Sequence, residues 1–301
     1  MYHFAVWFFW FKNLNTARMN KIKIETEDQF QLSATFYESE QHSDDLVVIA
    51  PATAATQLFY RSYSRYLAKE KGMNVLTFDY RGVGESLPGD IKSFDASMSD
   101  WGFKDLRAVI NWAHDQGHNI YLLGHSVAGQ LFPFTESANK VCASYFVASQ
   151  TASMHFWEGK AKLFVLLFWR FLLPIVTKVY GYLPGWTLGA QTPLPKGVAQ
   201  EWRSWGLHKD GAIQGIQRLQ EMYNQVTGYV HFLNIGDDKY LAPRNATEQL
   251  KWRYFSARTS MESVYPQDIE EEEIGHFGFF RSEFKHKLWD KPVDYFRAMA
   301  C

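Results

Sequence analysis

Leu122–Gln130, LLGHSVAGQ, is the stretch on which the fold turns. An apolar strand runs directly into Gly124, His125, Ser126, Val127, Ala128 and Gly129 and then into helix-forming sequence. A serine at such a strand-to-helix turn sits in a strained backbone conformation, so the residues two positions to either side must be small, as Gly124 and Ala128 are. The helix that opens here points its positive end and the Val127 N–H toward the serine, where a developing oxyanion would be stabilised. A serine after a glycine more often caps a helix than attacks a substrate. The strand before it and the helix after it set Ser126 apart as a candidate nucleophile, and a serine hydroxyl needs a base and an acid from farther along the chain to become one.

Outward from this stretch the pattern is that of an α/β protein. IKIETEDQFQLSATFY (22–37) alternates apolar and polar residues around a polar break at Glu27 to Gln29, which predicts an antiparallel hairpin. Short apolar runs then follow at 46–52 (LVVIAPA), 74–80 (NVLTFDY), 119–126 and 143–150 (ASYFVASQ), the pattern of parallel strands buried on both faces. Crossover helices are expected from Gln57 to Glu70, from Asp100 to Ala113 and from Ser126 onward. The rhythm stops after Gln150 and returns at YVHFLNIG (229–236), followed by a helix from Arg244 to Tyr254, an extended stretch near Glu262 to Tyr265 and a last helix from Phe284 to Met299. The chain therefore divides into a core, 20–150 and 229–301, and an inserted helical cap, 151–228. Within the cap, LFVLLFWRFLLPIV (163–176) is interrupted by Arg170 and Pro174 and is too short on either side of them to cross a bilayer; it is expected as a helix buried against the core with one face on a substrate pocket. Membrane contact is the lesser alternative.

The returning strand supplies the acid. It ends in Asp237-Asp238, which puts carboxylates at the carboxyl end of a sheet strand, the edge where ligands bind in α/β sheets. Either aspartate could serve, and Asp238, farther from the strand end, is preferred. Of ten histidines, only His276 combines a preceding glycine, a following aromatic cluster and a position late in the chain. His125 should face away from the serine by strand alternation, and His231 should belong to the core. Glu270 to Glu273 read as a solvated loop, since no histidine or cysteine stands at ligand spacing within the run.

APATAATQLFYRSYSRYLA (50–68), FDYRGVGES (78–86), GHSVAGQ, GDDKYLAP (236–243) and IGHFGFFR (274–281) resemble the α/β-hydrolase superfamily, in particular its branch of serine aminopeptidase-like and lysophospholipase-like hydrolases. The resemblance covers Asn20 to Arg297. It implies a mostly parallel sheet of eight strands flanked by helices, a cap after the sixth strand, and a triad falling on Ser126, Asp238 and His276. It also implies a second oxyanion donor near Ala54, where Thr53-Ala54-Ala55 replaces the glycine of many relatives. Arg81, Gly82 and Gly84 match a family turn that reads as structural.

The composition excludes other classes. With 31 basic against 32 acidic residues there is no electrostatic footprint for nucleic acid. The expected partner is a small acyl or ester substrate, and the expected activity is that of an esterase-like serine hydrolase. An acyltransferase with the same triad, or a non-catalytic binding protein of the same fold, are the alternatives. No metal or organic cofactor is implied, because the triad supplies nucleophile, base and charge stabilisation. Two cysteines, Cys142 and Cys301, are expected as free thiols in a cytoplasmic protein. The opening MYHFAVWFFWF makes residues 1–19 an apolar extension that lacks the basic flank of a signal peptide and the length of a span.

Overall fold

A computed structural model describes residues 18–190, 192–214, 216, 218–299 and 301 of the chain. The opening segment, residues 1–17, lies outside them. The alternating stretch becomes β1 (Met19–Glu25) and β2 (Gln31–Tyr37), antiparallel with Ile24 opposite Leu32. The apolar runs become β3 (Asp45–Ala50), β4 (Asn74–Phe78), β5 (Asn119–His125) and β6 (Val141–Val147). After β6 the chain leaves the sheet, forms a small ribbon of β7 (Tyr182–Leu183) and β8 (Leu194–Pro195), and returns as β9 (Tyr229–Ile235) and β10 (Arg258–Val264). The eight long strands make one sheet in the order β1-β2-β4-β3-β5-β6-β9-β10, parallel from β4 to β10 and antiparallel at β1 and β2.

Burial on both faces explains why the central strands lack polar alternation. Leu46, Val48, Ile120, Leu122 and Phe232 join one apolar layer, while their neighbours Val47, Ile49, Tyr121, Leu123 and Leu233 join the other. β10 begins four residues before the extended stretch expected at Glu262. It lies at the sheet edge, pairs only with β9 and keeps most side chains half-exposed, so it carries no apolar run to betray it.

One expectation fails, and a second holds on one side of a helix only. Cys142, in β6, and the terminal Cys301 are not free thiols but are joined as a disulfide, with their Cα atoms 5.2 Å apart across 159 residues of sequence. The reason is tertiary: the last helix, Asp290–Ala298, packs along β6 and carries the chain end to it. The apolar run at 163–176 belongs to a helix, Gly159–Tyr180, that packs one side against the core through Val165, Phe168, Trp169, Leu173 and Val176 and leaves the other exposed, so that only a third of its most apolar window is covered.

The turn between β4 and the next crossover is held by charge. Arg81 Nε donates to Asp105 Oδ1 at 2.6 Å, its backbone N–H donates to the other carboxylate oxygen at 2.9 Å, and its two terminal nitrogens reach Asp28 in the first hairpin at 2.8 and 3.0 Å. Asp105 is fully buried, in a π-helical turn (Trp101–Leu106), and burial pushes its carboxyl upward against the pull of Arg81. Arg81→Met should therefore destabilise the fold by ~3–5 kcal/mol in urea unfolding, because it leaves an uncompensated buried charge. The native variant would take up a proton at Asp105 that the unfolded chain releases, so the loss should be smaller at about pH 5 than at about pH 8. Adding Asp105→Asn should restore most of it.

Candidate active site

At the carboxyl end of β5 the chain turns through Ser126 with φ of +56°, a left-handed value that a serine adopts only where its surroundings impose it. The Ser126 N–H donates to the Val147 carbonyl at 2.9 Å, which ties the turn to the end of β6. A Cβ at position 124 would stand 2.6 Å from the Phe146 ring and 2.8 Å from the Ala128 methyl, so only glycine fits beneath the turn. A helix starts at Ala128. Ser126 itself is almost fully covered, and among the described residues its hydroxyl makes no hydrogen bond.

His276 sits in a short helical turn, Gly275–Gly278, and Asp238 in the loop after β9. Asp238 Oδ2 accepts from His276 Nδ1 at 2.5 Å, with both side chains buried, and Asp238 Oδ1 accepts the Leu241 N–H at 3.1 Å. This arrangement fixes the proton on Nδ1 and leaves Nε2 as the nitrogen that can receive one. Asp237 does something else. Its Oδ2 accepts the Ile274 N–H at 2.8 Å and the Gly275 N–H at 3.1 Å, pinning the backbone that carries His276. Of two adjacent carboxylates, one holds the imidazole and the other holds its loop.

His125 points away from the serine and organises the rim. The His276 carbonyl can only accept, so His125 Nε2–H donates to it at 3.0 Å; Nδ1 of the neutral ring then accepts from the Tyr60 hydroxyl at 2.8 Å, and Tyr60 Oη accepts the Ala52 N–H at 2.9 Å. Burial drives the His125 pKa well below its ordinary value, which keeps the ring neutral with one donor and one acceptor. A single relay thus joins the loop after β3, the turn at Ser126 and the loop of His276. Residue 276 is brought to the residue adjoining Ser126 by its backbone, with the His125 and His276 rings 5.1 Å apart.

The loop after β3 lies beside the serine turn because Ala50 and Gly124 are register partners. Ala54 in that loop has φ of +60°. Among the described residues, neither the Ala54 N–H nor the Val127 N–H donates to a protein acceptor. Three hollows meet here at Gly189. One, of about 220 Å³, is walled by Trp157, Phe168, Trp169, Trp202 and Leu241; a second, of about 660 Å³, lies over His276; a third, of about 470 Å³, is lined by Ala54, Phe59 and Phe277.

The remaining candidates stay outside this arrangement. His231 lies toward the sheet edge, with Nδ1 2.8 Å from the Ser260 hydroxyl and Nε2 3.5 Å from Glu262. Glu271 pairs with Lys287 at 2.7 Å, and among the described residues no group of histidine, cysteine and carboxylate side chains gathers to hold a metal ion. Sequence reasoning missed Tyr60 and the separate task of Asp237. Tyr60 carries no local signal, because it acts through His125, 65 residues away.

A family model described as the alpha/beta hydrolase family matches residues 47–284. No curated protein sequence matches the chain. Among solved structures, an esterase of Pyrococcus furiosus superposes with a TM-score of 0.61 at 15% identity, covering 94% of this chain and 91% of that one. An esterase of Exiguobacterium antarcticum gives 0.57 at 15%, covering 91% and 98%, and a monoacylglycerol lipase of Paleococcus ferrophilus gives 0.60 at 13%, covering 89% and 99%. At these identities the likeness is one of fold.

Tyr60→Phe removes a hydroxyl that serves two buried groups, the Ala52 N–H and His125 Nδ1, and should lower stability by ~1–3 kcal/mol in chemical denaturation. Asp237→Asn weakens two charge-assisted hydrogen bonds to the His276 loop, and hydrogen exchange at the Ile274 and Gly275 amides should accelerate while exchange in β5 stays unchanged.

Proposed function

This chain belongs to the alpha/beta hydrolase family, and we propose that it is a serine hydrolase that cleaves a carboxylic ester or related acyl bond through Ser126, His276 and Asp238. The observation that carries the reading is the buried 2.5 Å contact between Asp238 and His276 Nδ1, formed at the same sheet edge as a serine held at positive φ. Ser126 Oγ attacks the carbonyl carbon as His276 Nε2 takes its proton. The negative charge that develops on the carbonyl oxygen meets the N–H groups of Val127 and Ala54, neither of which is spent on a protein acceptor. Collapse of the tetrahedral species expels the alcohol, which recovers the proton from His276 and leaves an acyl group on Ser126. Water, deprotonated by His276, then attacks the acyl carbon and releases the acid. Asp238 holds the imidazole in the required tautomer and stabilises it when charged.

The segment between β6 and β9 acts in this reading as a cap over the site. Its aromatic hollow, walled by Trp157, Phe168, Trp169 and Trp202, suits an apolar acyl or aromatic group. The fold shared with esterases and a monoacylglycerol lipase supports the same class of substrate.

A fluorophosphonate probe should label the wild-type chain and leave Ser126→Ala unlabelled; equal labelling of both would exclude Ser126 as the nucleophile. On a panel of p-nitrophenyl esters, Asp238→Asn should lower kcat by about four orders of magnitude, through the wrong imidazole tautomer. Within the panel the chain-length preference should change when Trp202 is replaced by alanine, since that residue walls the aromatic hollow.

A further inference from the structure

The helix Gly159–Tyr180 turns one side toward the protein and another away from it. Val165, Phe168, Trp169, Leu173 and Val176 are buried, and three of them wall the aromatic hollow. On the outer side Leu163, Leu167, Phe171, Ile175 and Val179 recur every fourth residue and are exposed by 57, 47, 57, 58 and 74%. A four-residue repeat drifts by about 40° per step around a regular α-helix. The π turn at Phe168–Leu172 is wider and takes up part of that drift, so the stripe stays on one side. Single exposed apolar side chains call for no explanation, but an unbroken stripe does.

The charges on this helix say what covers it. Lys160, Lys162, Arg170 and Lys178 are all exposed, the helix holds no aspartate or glutamate, and among the described residues none of the four is in an ion pair. Exposed Tyr180 and Trp186 stand at or just beyond its end, the residue types that settle at a membrane interface. Apolar side chains flanked by uncompensated cations match an anionic lipid surface, where the long cationic side chains reach the headgroups while the stripe enters the acyl boundary. A second copy of the chain would set the same cations against each other across a two-fold axis. The buried inner side and the mid-helix Arg170 fit a helix lying along a bilayer rather than across it.

We propose that the outer face of Gly159–Tyr180 docks the protein flat on an anionic lipid bilayer. Phe164 and Tyr240, edge to face at 5.7 Å and both half-exposed, stand at the rim of the aromatic hollow, so docking turns that opening toward the lipid. Entry of an apolar substrate from the bilayer rests on the hydrolase reading above; the docking does not.

The test is flotation of the full chain with vesicles of phosphatidylcholine alone and of phosphatidylcholine mixed with phosphatidylglycerol, with fluorophosphonate labelling in parallel. The wild type should float with the anionic vesicles and be released by high salt. The variant Leu167→Glu, Phe171→Glu, Ile175→Glu should lose binding by at least about tenfold, and the milder Lys162→Gln, Lys178→Gln should lose the preference for anionic lipid, both while labelling as the wild type does. Wild-type chain that floats with neither vesicle overturns the proposal. So does binding unchanged in the triple glutamate variant, which would assign attachment to the apolar residues 1–11, and so does a dimer that the triple variant dissolves. Failure of labelling in every form bears on the hydrolase reading and leaves the docking result standing.

Discussion

The His125 imidazole is buried and uncharged between a tyrosine hydroxyl and a backbone carbonyl, and these two hydrogen bonds connect three segments that the sequence keeps far apart. The carbonyl of residue 276 can only accept, which puts the His125 proton on Nε2; Nδ1 is then an acceptor for the Tyr60 hydroxyl, whose oxygen accepts the Ala52 N–H. Each bond sets the direction of the next. A charged imidazole would have two donors and no acceptor, which would break the relay at Tyr60, so the burial that depresses the His125 pKa is also what keeps the loops in register. Position 125 acts on the site without facing it.

The same logic of one group per task recurs in the acidic pair. Asp237 and Asp238 are neighbours in a loop that leaves β9, yet one carboxylate satisfies backbone N–H groups at Ile274 and Gly275 while the other meets the imidazole two positions along. A loop free to shift would lengthen the Asp238 contact; a loop pinned by its own backbone cannot. The strain held at Ser126 is sustained in a similar manner, by an amide bonded to Val147 and by Phe146 and Ala128 crowding position 124.

Electrostatics elsewhere in the chain serve the fold. Arg81 links the first hairpin, the turn after β4 and the crossover helix through Asp28 and Asp105. That the family turn FDYRGVGES carries this arginine is thereby explained without reference to substrate. The helix Gly159–Tyr180 divides its roles by face, with an inner side that walls a hollow and an outer side that no other part of the described chain covers.

Ser126, His276 and the strands around them were legible in the sequence because local constraints mark them: small residues at 124 and 128, a strand running into a helix, apolar runs too continuous for a half-exposed sheet. The ambiguity between Asp237 and Asp238 was not resolvable there, since both occupy one loop and only the orientation of His276 distinguishes them. Tyr60 gave no sign, because its role exists only where the loop after β3 meets the turn after β5. The apolar run at 163–176 reads as core all round, yet only one side of its helix is, for a related reason: hydrophobicity records that a side chain avoids water and is silent on what will exclude the water. The pairing of Cys142 with Cys301 was likewise decided by the path of the last helix along β6. Sequence determines what each segment can form, through steric and solvation preferences of neighbouring residues; tertiary structure decides which distant groups share a hydrogen bond, because that depends on the joint placement of strands that no local preference encodes.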